Sequence, residues 1–249
     1  MGNRMQDKVV VITGGSSGLG RATAELMIAE GARVLIADID ADKGAAVAAD
    51  IGAEFVRADV GIRTEVENLV DHAVARFGRL DVMCNNAGVI AMAPLVETTD
   101  FDFERMVAVN LGGVFYGTRA AARVMVEQGG GVIVNTASNG GCSPSEGMAV
   151  YSGTKAGVVA LSKACAIELA PRGVRVNTIS PGTMLTGMVP DVEGIVEVLD
   201  KLQPIGYAAQ PSQMAAGILY LASEEGAYVT GHDLVVDGGA TAGRAAVGV

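Results

Sequence analysis

The chain has 249 residues, half of them hydrophobic, with 18 Lys plus Arg against 28 Asp plus Glu and a net charge of −10. That length suits one α/β domain with a sizeable core. An acidic chain without a basic run is a poor partner for nucleic acid or an anionic membrane, and no apolar run is long enough to span one.

Val9-Val10-Val11-Ile12 is a run of β-branched apolar residues, the pattern of a strand buried on both faces. Thr13-Gly14-Gly15-Ser16-Ser17-Gly18-Leu19-Gly20 breaks that pattern, and apolar residues then recur at helical spacing through Leu26 and Met27. A strand, a tight glycine turn and a helix N-terminus aim backbone N–H groups at one point, which suits a phosphate. A second strand, Arg33–Ala37, ends on Asp38, where a carboxylate can accept from an adenosine ribose diol. Glu54–Ala58 is a third strand, followed by Asp59-Val60. Thr64 with Glu67 three residues on predicts a capping box for a helix whose apolar stripe is Val66, Leu69, Val70, Ala73, Val74 and Phe77. His72 lies beside the stripe and reads as structural or solvated.

Leu80–Cys84 is a fourth strand, closed by the turn Asn85-Asn86-Ala87-Gly88. A long helix is predicted from about Phe103 to Glu127, with Asn110 at a mid-helix position that propensity disfavours. Gly129-Gly130-Gly131 reads as a helix-to-strand turn into a fifth strand, Gly131–Thr136, which leads to Ala137-Ser138. Tyr151-Ser152-Gly153-Thr154-Lys155 opens a helix that runs to about Ala170 and is stopped by Pro171 and Gly173. Val174–Ile179 is a sixth strand, followed by Ser180-Pro181-Gly182. Thr183 to Gln213 is less regular, broken by Pro190, Pro204 and Pro211; a last helix covers about Ser212 to Ser223 and a seventh strand Leu234–Gly239. The tail Ala240–Val249 is unpatterned. Strands and helices alternate without a linker, which predicts one doubly wound α/β sheet of seven mainly parallel strands with helices on both faces. The glycine turn, Asp38, Asp59, Asn85, Ser138 and Pro181 all follow strand ends and so share one edge, where such folds bind ligands.

Tyr151 and Lys155 lie four apart on one helix face. A free tyrosine, with a pKa of about 10, is a reluctant base, and a nearby ammonium is expected to pull that value down. Ser138, at a strand end upstream, could share a substrate oxygen with Tyr151. Cys84, Cys142 and Cys165 have no metal-ligand spacing and no apolar leader precedes the first strand, so reduced thiols, no metal and a cytoplasmic location are expected.

The order Thr-Gly-x-x-x-Gly-x-Gly, Asn-Asn-Ala-Gly, Ser and Tyr-x-x-x-Lys resembles the short-chain dehydrogenase/reductase family, from about Lys8 to Gly239. The resemblance implies a single Rossmann-type domain over residues 1–249, with a segment of about 183–213 over the substrate pocket. It implies that Tyr151 is the acid/base, that Ser138 polarises the substrate oxygen, that Lys155 lowers the tyrosine pKa and holds the nicotinamide ribose, and that Asn110 anchors a relay water. The implied cofactor contacts are Gly14, Ser16, Ser17, Gly18, Leu19 and Gly20 at the turn, Asp38 and Ile39 at the ribose, Asp59 and Val60 at the adenine, and Asn86, Ala87 and Gly88 after the fourth strand. Pro181, Gly182, Met184 and Thr186 join Tyr151 and Lys155 at the nicotinamide end. Thr183 departs from the larger apolar residue of many relatives.

The activity so implied is interconversion of a secondary alcohol and a ketone with NAD, by a homotetramer acting on a small, largely apolar substrate. An NADP-dependent carbonyl or acyl-carrier reductase would place a cation near Ser17, Asp38 or Ile39, where the nearest by sequence are taken to be Arg21 and Arg33. A nucleotide sensor without turnover would lack the Tyr/Lys pair. Gly140–Val150 and Thr186–Gln210 are expected to line the substrate pocket, with Met148, Leu185, Met188, Val189, Ile195, Val198 and Leu199 serving as apolar walls or as lid packing. Neither Cys142 nor His232 is given a role.

Overall fold

In the computed structural model, which describes residues 3–187, 192, 194–201 and 203–243, the segments read as strands form one parallel sheet. Met188 and Val189, and the end of the tail, lie outside the described residues. The strands are β1 (Val9–Thr13), β2 (Arg33–Asp38), β3 (Glu54–Arg57), β4 (Val82–Asn85), β5 (Gly131–Thr136), β6 (Val174–Pro181) and β7 (Asp233–Val236), in the spatial order β3-β2-β1-β4-β5-β6-β7. All six pairings are parallel, with Val10 opposite both Val34 and Val82. The helices are α1 (Gly18–Ala29), α2 (Ala41–Ile51), α3 (Arg63–Phe77), α4 (Asp100–Met106), α5 (Val114–Gln128), α6 (Ala149–Leu169), α7 (Ile195–Lys201) and α8 (Pro211–Ala222).

Successive strand residues point to opposite faces, and each face carries its own core. Val10, Ile12, Ile36 and Cys84 pack with Leu19 and Met27 of α1, Val47 of α2 and Ile218 of α8. Val11, Leu35, Met83 and Ile133 pack with Leu69 of α3, Met125 of α5 and Ala166 of α6. The chain winds outward from β1 to β3, returns to place β4 on the other side of β1, and winds outward again to β7. Connections therefore diverge between the carboxyl ends of β1 and β4, which opens a crevice there. Asn86 bridges it: its Nδ2 donates to the carbonyls of Thr13 (3.1 Å) and Gly14 (3.4 Å), while Thr13 Oγ1 accepts from the N–H groups of Asn86 and Ala87. On the β4–β5 side, Asn85 donates to Asn135 Oδ1 at 2.8 Å, and Asn135 donates to Ser162 of α6 at 2.9 Å.

Three local expectations are corrected. Thr64 is not a cap: α3 starts one residue before it, with Ile62 at the cap position and no side-chain cap. The turn closes upstream instead, where Asp59 Oδ1 accepts from Gly61 N–H and Glu65 Oε2 accepts from Asp59 N–H at 2.7 Å, while Glu67 pairs with Arg63 and Arg119. The long helix begins earlier, at Asp100, and is not uniformly α: Val107–Gly113 is a π-turn between α4 and α5, and Asn110 sits inside it. Within the irregular stretch after β6, Ile195–Lys201 is a helix that the prolines conceal. The two ends of that stretch are stitched together, with Leu185 N–H donating to Ala209 and Ala209 N–H to Thr183. At Gly129 the expected turn is present, with φ +87° closing α5.

Candidate active site

The glycine turn leaves β1 and enters α1 through Gly14 (φ +66°) and Gly18 (φ +48°), backbone geometry that side chains resist. The cap residue Ser17 makes no side-chain cap bond and the first turn of α1 holds no acid, so among the described residues its leading N–H groups face the cleft without a side-chain partner. Gly20 has a different role from its neighbours. It is buried under the turn, where a Cβ would overlap the Gly14 carbonyl, and it does not line the cleft. Gly20→Ala should therefore destabilise the chain by about 1–3 kcal/mol, read from its denaturant midpoint, because the turn must move to admit one methyl.

The cleft has a volume of about 670 Å³. Its floor is the turn, Gly14 and Ser16–Leu19; one end is formed by Asp38, Ile39, Asp59 and Val60; the other by Asn86–Gly88, Ser138, Tyr151, Lys155, Pro181, Gly182, Met184 and Thr186. Apart from Gly20 and the fully buried Asn110, every residue that the resemblance assigns to the site lies on this wall. Lys43 and Arg105 also line it, both missed in the sequence because they reach in from α2 and α4. Lys43 revises the ranking of nearby cations. Arg21 is tied to Glu25 and Asp50, Arg33 stacks on Phe77, and Lys43, five residues after Asp38, shares the cleft lining with it.

At the Tyr151 end, Ser138 follows β5 and its Oγ accepts from Gly140 N–H at 3.1 Å. Gly140 lies against both side chains: a Cβ there would make ordinary contact with Ser138 Oγ at 3.4 Å and Tyr151 Cε1 at 3.7 Å. Burial pushes the Tyr151 hydroxyl above its usual range, and a hydrogen bond with Ser138 works against that rise. Lys155 is fully buried on the same helix face, with Nζ 2.8 Å from the Thr136 carbonyl and 5.8 Å from the centroid of the Tyr151 ring. Desolvation lowers its own pKa to about 8. The expectation that Lys155 pulls the tyrosine pKa below 10 is thus not met in this state. The ammonium is itself destabilised by burial, and burial of the phenol dominates.

Asn110 explains its awkward position by its contacts. Its Oδ1 accepts from Val89 N–H at 2.8 Å, and its Nδ2 donates to the Val89 carbonyl at 2.9 Å and to Thr154 Oγ1 at 3.3 Å. The π-turn thus clamps the loop after β4 onto the helix that carries Tyr151 and Lys155. Gly88 lies beside both groups: a Cβ there would stand 3.4 Å from Asn110 Oδ1 and from Lys155 Nζ. Glycine backbone beside an uncapped helix end, a carboxylate at the far end and a buried ammonium at the near end together fit an elongated dinucleotide.

Among the described residues no cluster of His, Cys, Asp and Glu could hold a metal ion, and no helix is long and apolar enough to cross a membrane. Cys84 is buried with its pKa pushed up to about 12, and Cys142 is held as a thiol by burial and by Asp233. Of the expected pocket walls, Leu185 and Ile195 face a separate shallow cleft beside Arg21 and Pro211, and Val198 is exposed.

The family model described as Enoyl-(Acyl carrier protein) reductase matches residues 14–241. The chain is 43% identical to Tropinone reductase-like 1 of Erythroxylum coca, over 95% of this chain and 91% of that one. It is 39% identical to a 3-alpha-(or 20-beta)-hydroxysteroid dehydrogenase of Mycobacterium tuberculosis, over 98% and 94% of the two chains. A crystal structure of a short-chain type dehydrogenase/reductase from Mycobacterium marinum superposes with a TM-score of 0.90 at 35% identity, covering 96% of this chain and 97% of that one. Motifs, sheet order and relatives agree: the chain belongs to the short-chain dehydrogenase/reductase family.

Proposed function

We propose that this protein interconverts a secondary alcohol and a ketone, using NAD. The observation that carries the reading is the juxtaposition of Ser138, Tyr151 and Lys155 at one end of a cleft whose other end is Asp38. A nicotinamide dinucleotide, when bound, supplies the hydride acceptor or donor. The chain supplies the rest. Ser138 Oγ, oriented by Gly140, holds the substrate oxygen. Tyr151 takes the alcohol proton in oxidation and returns it in reduction, help typically worth ~10²–10⁴ in rate. Lys155, fixed by the Thr136 carbonyl, keeps a positive charge beside the phenol. Asn110 holds Val89 and Thr154 in register behind them and anchors the relay water.

Asp38 supports NAD over NADP. A carboxylate within ~4 Å of a 2′-phosphate is repelled by ~4 kcal/mol per charge pair at an effective dielectric near 20. Lys43 on the same wall reduces this without cancelling it. The expected preference is about ten- to a hundredfold in kcat/KM, equivalent to ~1.4–2.7 kcal/mol. Secondary alcohols assayed with each dinucleotide test it: equal efficiency removes the NAD reading, and no turnover with either removes the enzyme reading.

We also propose a tetramer. Along α6, Gly153, Ala156, Ala160, Ala164 and Ile167 form an exposed stripe of small and apolar residues, and Phe101, Phe103 and Phe115 are exposed on α4 and α5. Such faces call for cover beyond the sheet. Light scattering at micromolar concentration should give four times the chain mass, and a monomer would refute it. The substrate is a small, largely apolar alcohol or ketone, and the cytoplasm is the proposed location.

A further inference from the structure

We infer that Ser16 is the positioning residue that sets coenzyme choice, by locking Asp38 and by spending on it the donors that a 2′-phosphate would need; this rests on the NAD reading above. The glycine turn is pinned directly to the end of β2. Gly15 N–H donates to the Ala37 carbonyl at 3.1 Å, and a Cβ on Gly15 would overlap Ile36, so the two segments are pressed together. One residue later Ser16, which is buried, donates twice to a single oxygen. Its backbone N–H reaches Asp38 Oδ2 at 3.1 Å and its hydroxyl reaches the same atom at 2.6 Å. The other carboxylate oxygen accepts from Asp40 N–H at 3.2 Å, and Asp40 in turn caps α2 through Lys43 N–H at 3.0 Å.

Asp38 is therefore gripped from both sides by elements that cannot move independently. A carboxylate has about four acceptor sites, three of them used here, and Asp38 still lines the cleft. What remains suits a ribose hydroxyl, which can donate, and offers nothing to a phosphate, which cannot. The second effect concerns the donors. A phosphate at this end would look for N–H and O–H groups on the turn, and those of Ser16 are already committed to Asp38. The carboxylate thus acts as a resident anion in place of the phosphate. Lys43 stands on the same wall, beside the carboxylate end, makes no ion pair among the described residues, and opposes this effect.

The test is calorimetric titration of the full chain with NAD⁺ and with NADP⁺, so that it does not depend on turnover. Ser16→Ala removes the shortest of the three hydrogen bonds and loosens Asp38, which keeps the backbone N–H groups of residues 16 and 40, so the ratio of the two dissociation constants should shrink about three- to tenfold toward NADP. Ser16→Cys, similar in size with a weaker donor, should shift it less in the same direction, and it carries the test if the alanine variant does not fold. Asp38→Ala should tighten NADP⁺ binding, and adding Ser16→Ala to it should remove most of that gain. A ratio unchanged within about twofold, or equal weakening of both dinucleotides, would mark Ser16 as merely structural and overturn the inference. Wild-type protein that binds both equally would instead remove the NAD reading itself.

Discussion

Tyr151→Phe should lower turnover at least about 100-fold while leaving dinucleotide binding in place. The substitution keeps the ring packed beside Lys155 and deletes only the hydroxyl proposed to exchange the proton. The pH dependence follows from the direction of the shift. Burial holds the hydroxyl above its ordinary value, with Ser138 offsetting part of the rise, so near neutrality the acid form dominates. Ketone reduction needs that acid form and should be level from about pH 6 to about pH 8. Alcohol oxidation needs the scarce phenolate, so kcat/KM should climb by up to about tenfold per pH unit below the pKa. In Tyr151→Phe the residual oxidation rate should lose this slope. A variant that keeps both rate and slope would take the acid/base role away from Tyr151.

Lys155→Met should impair turnover and dinucleotide affinity together, by about 100-fold or more in kcat/KM, and yet raise the melting temperature near neutral pH. Lys155 is buried with one hydrogen-bond partner among the described residues, the Thr136 carbonyl, and its folded pKa is lowered to about 8 from 10.5. Below about pH 8 both folded and unfolded chains carry the proton, and burying it costs the fold on the order of 3 kcal/mol. Between the two pKa values the unfolded chain still binds a proton that the folded chain has released, so wild-type stability rises with pH across that window. Methionine, similar in volume and uncharged, escapes the cost; the orphaned Thr136 carbonyl returns a smaller part of it. The stability advantage of Lys155→Met should thus shrink from about pH 8 upward. Melting curves at several pH values check this, and a variant less stable than wild type at neutral pH would show that the ammonium is compensated by groups beyond Thr136.

The fold was legible because parallel strands are buried on both faces and write themselves as apolar runs: Val9–Ile12 and Val34–Ala37 needed no tertiary information. The cleft edge was legible because the glycine turn, Asp38, the Asn-Asn-Ala-Gly turn and Pro181 sit at or just after strand ends. What the sequence hid depends on contacts across distance. Thr64 and Glu67 have the right spacing for a capping box, but Asp59, Gly61 and Glu65 close the turn first. A π-turn seven residues long is too short to alter a helical periodicity visibly, so only the oddity of Asn110 pointed to it. Lys43 and Arg105 reach the cleft from helices whose own patterns say nothing of it. The upward shift of Tyr151 is a desolvation effect, and spacing along a helix carries no measure of burial.

The π-turn at Val107–Gly113 also bears on which length changes the family can accept at this point. A wide turn of this kind accommodates one surplus residue relative to an α-helix, in which each residue turns the chain by about 100°. Deleting a single residue between Val107 and Gly113 would restore a regular helix at no cost in backbone hydrogen bonds. It would also swing the Asn110 carboxamide about a quarter-turn away from Val89 and Thr154. Such a deletion should leave helicity by circular dichroism intact and speed amide exchange at Val89, whose N–H would lose its acceptor. This stretch is therefore a place where an alignment gap of one would mark loss of the activity sooner than many substitutions.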